Sequence, residues 1–366
     1  MRTRIMFALL AALTLAACSG GGGGSSSTPT NLGNGSGNNN TLSISTTEAG
    51  TTGAEAGLDP VEQGDLENGV YNGSINLAQS GSRSILGTPA DGLCHNGVEL
   101  TVTVVSPTEK IYDEKHFYDK ACTSLAREVV SDVVKNGTGY GVTRTAKNFS
   151  ANGALLSTRN TSFSTVGASG NFTATIISAL TIGTATSPSA QFGRTETVAT
   201  PSGSNVSTIT GNSGHVVNDG NPAINESLGH QGVLVSVTKT VDVSGDVTYA
   251  GEHDGTFFRG ALGSLTLSAT PPFTVSGGTQ YGTASQTGSV VFDSSGNLTS
   301  VNVTGTMLNG DTFAVTSAGS PLVVSGTIKS SGGNTVATFQ VDQFGDGTIS
   351  YANGTQGLIV DWHVVK

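Results

Sequence analysis

Val341-Asp342-Gln343-Phe344-Gly345-Asp346 closely matches Val241-Asp242-Val243-Ser244-Gly245-Asp246, and Thr, Tyr, Ala and Gly follow each in that order. A short β-branched run ending in Asp and Gly is what a tight hairpin needs, because Gly takes up positive φ without steric cost. Comparable turns occur at Phe149–Gly153, Pro201–Asn205 and Phe292–Asn297, so the turn glycines fall at 153, 203, 245, 296 and 345. The intervals are 50, 42, 51 and 49 residues. Between the last two turns, period-two patterning predicts strands over 297–306, 311–316, 322–328 and 335–341. The fold class that follows is all-β: an antiparallel meander forming a barrel or sandwich. A small β-propeller is the alternative, since propeller blades repeat at a similar interval. No Gly-His with Trp-Asp signature supports blades, and Trp362 is the only tryptophan.

Composition agrees with many short strands. Gly supplies 52 of 366 residues, while charged residues make up only 11%. The formal net charge of −10 with scattered Lys and Arg excludes a nucleic-acid partner, which would require a basic face.

Upstream, the patterning predicts a strand from Leu66 through Leu77 and another in which Val98, Leu100, Val102 and Val104 alternate, ending at Pro107. The Gly69-Val70-Tyr71-Asn72-Gly73 segment is similar to the opening strands of small β-barrel lipoproteins. Residues 119–136 read two ways, as a helix with Leu125, Val129 and Val133 on one face or as a buried strand, and a helical turn near Cys122 leading into a strand reconciles them. At the other end, Leu358, Val360, Trp362 and Val364 alternate with Ile359, Asp361, His363 and Val365, with the first set expected to face the core.

The N-terminus carries a separate message. Arg2 and Arg4 precede an uncharged apolar run, Ile5 to Leu15, that is too short to span a membrane and reads as a secretory signal. Its end, Leu15-Ala16-Ala17-Cys18, resembles the lipobox of bacterial lipoproteins. The resemblance implies cleavage before Cys18, acylation of its thiol, and, with Ser19 following, attachment to the outer membrane. Two or three acyl chains suffice for stable anchoring. Losing Arg2 and Arg4 with the leader takes the net charge from −10 to −12. The anchor, the polar tether and the Gly-rich hairpins together resemble the transferrin-binding type of surface lipoprotein, without a motif that carries over a ligand.

The expected organisation is a signal peptide at 1–17, a flexible Gly/Ser/Asn-rich tether at 18–60, an N-terminal β module at 61–145 and a Gly-rich antiparallel domain at 146–366. Cys94 and Cys122 are the cysteines left once Cys18 is lipidated, and in an exported chain they form a disulfide.

Candidate chemistry is sparse. His95, Asp113, Glu114 and His116 are the most concentrated polar group, but no spacing among them is diagnostic of a metal, and they read as a polar hairpin. Asp293, Asn297, Asp342 and Asp346 read as Asp-bearing turns, with too few carboxylates for a calcium cage. His215, His230 and His253 read as loop residues, and Asp361 with His363 as a solvated couple. There is no nucleophile elbow, no Ser-x-x-Lys and no phosphate loop. The expectation is a non-catalytic envelope protein without cofactor or metal, held to the membrane and displaying a surface to a protein or carbohydrate ligand. A barrel lined by Tyr71, Tyr112, Phe117, Tyr118, Phe257 and Phe258 that binds a small ligand is the alternative, and a secreted hydrolase ranks last.

Overall fold

Alternation in the sequence becomes alternation in space along the segment after Asn297. Leu298, Val301, Val303 and Met307 are buried, whereas Thr299, Asn302, Thr304 and Thr306 are exposed. The phase slips once, between Leu298 and Val301, where a bulge shifts the register so that Phe292 pairs Leu298 while Val291 pairs Ser300. The structure is a computed structural model and describes residues 45–70, 90–137, 139–166, 171–182, 189–199, 201, 204–218, 226–294 and 296–365. The signal peptide, Cys18, the tether up to residue 44 and the 71–77 part of the expected opening strand lie outside the described residues.

Among the described residues one helix, α1 (Thr46–Val70), precedes the strands. These are β1 (Asp91–His95), β2 (Val98–Ser106), β3 (Glu109–Phe117), β4 (Leu125–Asn136), β5 (Gly139–Phe149), β6 (Leu155–Val166) and β7 (Asn171–Ile182). Next come β8 (Ser189–Ala199), β9 (Val206–Asn218), β10 (Glu226–Val241), β11 (Val247–Ala261), β12 (Thr266–Leu267), β13 (Val275–Ser276) and β14 (Thr279–Phe292). The chain closes with β15 (Leu298–Met307), β16 (Thr312–Ala318), β17 (Val323–Lys329), β18 (Thr335–Val341), β19 (Gly347–Tyr351), β20 (Gln356–Val360) and β21 (His363–Val364). Nineteen of these strands form a single antiparallel sheet in which sequence neighbours pair, β12 and β13 standing aside as a two-stranded ribbon. The all-β reading holds, and the strands expected over 297–341 match β15 to β18 to within two residues.

The propeller alternative does not fit. Turn glycines 153, 245, 296 and 345 do adopt positive φ, of 81°, 88°, 83° and 83°. Yet the intervals between the five turns hold three, two, two and four strands of one ladder unbroken by blade boundaries, β12 and β13 lying outside it. Long strands in β9, β10, β11 and β14 and short ones in β15 to β18 make the interval similar by coincidence of length. The expected boundary at 145/146 falls inside β5, which pairs β4 on one side and β6 on the other.

Two further expectations are corrected. Residues 46–60 of the expected tether, and Leu66–Val70 of the expected opening strand, belong to α1. Ser45 caps the helix, its hydroxyl accepting the Glu48 N–H at 3.2 Å. The Gly-rich composition that suggested flexibility serves instead to bring the helix close to the sheet. Gly50, Gly53, Gly57 and Gly64 form one stripe, and a Cβ at these positions would lie 2.5–2.8 Å from Ala337, Ile328, Val315 and Phe292 respectively. Ala54, Leu58 and Val61 join the same core as Phe292, Val315, Ile328, Phe339 and Trp362.

The last strand is corrected as well. Asp361 and Trp362 take positive φ, of 51° and 71°, which breaks the alternation after Val360. Before that break Leu358 faces outward at 50% exposure, and Ile359 and all of Val360–Val365 are buried. At the front of the sheet the ambiguous segment resolves into a turn followed by β4, with Cys122 itself left-handed at φ 56°. Asp119 holds that turn by accepting N–H groups of Ala121, Thr123 and Ser124. The Cys94–Cys122 disulfide is formed, Cα to Cα 6.0 Å, and ties β1 to it.

Candidate functional site

Opposite its glycine stripe, α1 is acidic. Glu55, Asp59 and Glu62 stand at i, i+4 and i+7 and so share a face, with Glu48 one heptad earlier and Asp65 three residues later. The strands meet this face with cations. Arg259 of β11 binds Glu48 at 2.6 Å, Arg194 of β8 lies 3.5 Å from Asp59, Arg159 of β6 binds Glu62 at 2.6 Å, and Arg127 of β4 binds Asp65 at 3.1 Å. Lys239 of β10 reaches Glu67 at 3.5 Å. Arg127, Arg144, Arg159 and Arg194 are buried, and Arg259 is partly so. Burial alone would make each of these charges costly, and the pairing offsets that cost.

The histidines expected in loops are strand residues inside the sheet. His215 on β9, His230 on β10, His253 on β11 and His363 on β21 are all buried. His215 Nε2 lies 3.4 Å and His363 Nδ1 3.3 Å from the same oxygen, Glu55 Oε2. The other Glu55 oxygen accepts the Val364 backbone N–H at 2.7 Å. His363 Nε2 is 3.1 Å from Glu62 Oε1. The His215 and His363 rings meet edge-on with centroids 4.9 Å apart, and the His230 ring lies tilted with its centroid 5.2 Å from that of His215. His253 turns to Asp59 at 3.7 Å. Asp361 is not solvated with His363; its carboxylate accepts Arg159 Nε at 2.8 Å.

These contacts set the charge states. Burial raises the Glu55 carboxyl, but hydrogen bonds and charge from His215 and His363 outweigh it and bring it down to about 2. Glu62 and Asp59 are lowered in the same way, against their burial, by His363 with Arg159 and by His253, His230 and Arg194. For His363, burial opposes protonation, and Glu62 and Glu55 overcome it to raise the ring to about 10. His230 is the exception: burial dominates and pushes it down to about 4. Both of its ring nitrogens lack a hydrogen-bond partner among the described residues, as does Nδ1 of His215.

The polar hairpin noted in the sequence is split by strand alternation. His116 and Glu114 pair with each other and face the C-terminal end of α1, whereas Lys115 reaches Glu99 and Asp113 on the other side. His95 pairs only with Asp91, at 2.9 Å, near the surface. Beside His116 and Glu114 lies a cavity of about 70 Å³ lined also by Asp65, Arg127, Arg144 and Phe344. That is room for a few waters. The turn aspartates behave as read: Asp342 Oδ1 accepts the N–H groups of Phe344 and Asp346, and Asp293 Oδ1 that of Asn297.

Sequence reading missed Glu55, Asp59, Glu62, Arg159 and Arg194 as a set. The heptad-like spacing of acids over 48–65 and the Ser45-Thr46-Thr47-Glu48 capping box were the available signals. Comparison with protein-family models, with curated proteins and with solved structures finds no match.

Proposed function

We propose that this chain is a lipid-anchored envelope protein whose β scaffold presents a binding or structural surface and catalyses no reaction. The observation that carries this reading is the filled interior: α1 occupies the space inside the sheet, and its carboxylates are paired with strand cations. A small ligand would need a pocket of several hundred Å³. The cavity beside His116, at about 70 Å³, is far below that, so the aromatic-lined binder is the weaker reading. Work is left to the outside of the sheet. There, along β15 to β18, most exposed positions are polar, among them Thr299, Asn302, Thr304, Thr312, Thr316, Thr338 and Gln340, with Ala314, Ala318 and Val323 interspersed. Such a face suits contact with a polar partner such as a protein or a carbohydrate. The anchor is acylated Cys18, with the segment between it and Ser45 as the spacer to the outer membrane.

Protease treatment of intact cells, followed by probing for the 297–366 region, tests display. Loss of that region without lysis is the expected result. Protection until the outer membrane is opened overturns surface display and leaves a scaffolding role in the periplasm. Loss of membrane attachment and of radiolabelled palmitate in Cys18→Ser checks the anchor separately.

A further inference from the structure

We propose that Glu55, His215 and His363 form a binding site for a divalent transition-metal ion of the zinc type, held between α1, β9 and β21. This goes beyond the display function and does not depend on it.

Three ligand atoms, one from each residue, lie within 4.8 Å of one another, and all three residues are buried. Two imidazoles with one carboxylate is a donor set that zinc accepts, as three protein ligands with one position left over. The spacing fits the ion. Bonds of about 2.0–2.1 Å in a tetrahedron place the donors about 3.3 Å apart. Glu55 Oε2 stands 3.4 Å from His215 Nε2 and 3.3 Å from His363 Nδ1.

The surroundings of the ligands are those of a built site. Glu55 is oriented by the Val364 N–H on its other oxygen, which leaves Oε2 to coordinate alone. His363 gives its second nitrogen to Glu62, which Arg159 fixes in turn at 2.6 Å. A carboxylate behind a ligating imidazole sets its tautomer and raises its basicity. His230, with both nitrogens unpartnered among the described residues, lies tilted against His215 and borders the site. A bound dication would take the place of the proton that Glu55 and Glu62 hold on His363, since an imidazole must be deprotonated at the ligating nitrogen. The competing account is an ion cluster satisfied by a proton on His363, and it requires no metal.

Untagged full-length protein, unfolded in guanidinium with a chelator and refolded with or without Zn²⁺, separates the two accounts. The expected result is about one Zn²⁺ per chain by mass spectrometry of the metal. It comes with a visible Co²⁺ spectrum of the tetrahedral nitrogen-and-oxygen kind. Both are lost in His215→Gln and His363→Gln and retained in His116→Gln. Glu62→Gln weakens binding by about 10–100-fold. Folded wild-type protein that takes up no metal overturns the proposal, as does uptake unchanged in His215→Gln and His363→Gln. Should those variants fail to fold, wild-type stoichiometry and the Co²⁺ spectrum decide alone.

Discussion

Arg159 and Asp361, 202 residues apart in sequence, are joined twice: Nε donates to Oδ2 at 2.8 Å and an Nη to the Asp361 carbonyl at 3.0 Å. The third arm of the same guanidinium donates to Glu62 at 2.6 Å. One side chain on β6 thus fastens both the helix and the final turn of the chain. Burial would lower the Arg159 pKa, yet Asp361 and Glu62 raise it above the ordinary arginine value.

Arg159→Met should therefore be severely destabilising. It leaves the buried carboxylates of Glu62 and Asp361 short of a partner, and breaking a buried pair from one side costs about 3–5 kcal/mol. Guanidinium denaturation measures it as a fall in midpoint. The double variant Arg159→Met with Asp361→Asn should lose less than the two single changes added together, because the second change removes a charge the first had stranded.

Gly57→Ala tests the helix seat. In an isolated helix this change stabilises by about 1 kcal/mol. Here the new methyl would sit 2.5 Å from Val315 Cγ2, and overpacking of that kind costs about 1–3 kcal/mol. The expected sign is a loss of stability, relieved by Val315→Ala in the same chain. A stabilised single variant would show that α1 has room to move.

Glu67 makes stability pH-dependent. Burial first, and then the charge of Glu196, push its carboxyl up to about 8, even with Lys239 beside it. A raised pKa means that the folded state holds the proton more tightly than the unfolded one. The contribution is complete below the ordinary carboxylate value of 4.5 and is lost as pH climbs through about 8. Glu67→Gln should flatten the fall in denaturation midpoint across that window while leaving the acid side unchanged.

The disulfide should act locally. Closing a loop of this length contributes about 3–4 kcal/mol by chain entropy, but Cys94 lies on an edge strand whose only partner in the described sheet is β2. Cys94→Ser with Cys122→Ser should accelerate amide exchange first in residues 91–95 and 117–125. Equal acceleration throughout the sheet would mean that β1 is part of the global folding unit.

Much of the sheet was legible because strands declare themselves locally. Period-two patterning at Leu298–Met307 and the Gly-Asp turns at 245 and 345 depend only on residues close in sequence, and the sequence leaves Cys94 with only Cys122 as a partner once Cys18 is set aside. Reading α1 failed because its signal ran against composition. Gly, Thr and Ser disfavour an isolated helix, and only the sheet around Thr46–Val70 supplies what holds it. The histidines failed similarly. Whether His215 and His230 point into water or into an interior depends on which face of a strand is covered, and what covers it is a helix more than 140 residues upstream.

The sequence by itself determined an all-β chain, its hairpins, its disulfide partners and an expected lipid anchor, since each rests on short-range chemistry. Tertiary structure decided that a glycine-faced acidic helix fills the sheet, and that Glu55, His215 and His363 converge. Ion pairs between residues hundreds of positions apart leave no local pattern; they exist only once the chain has curled around its own N-terminal segment.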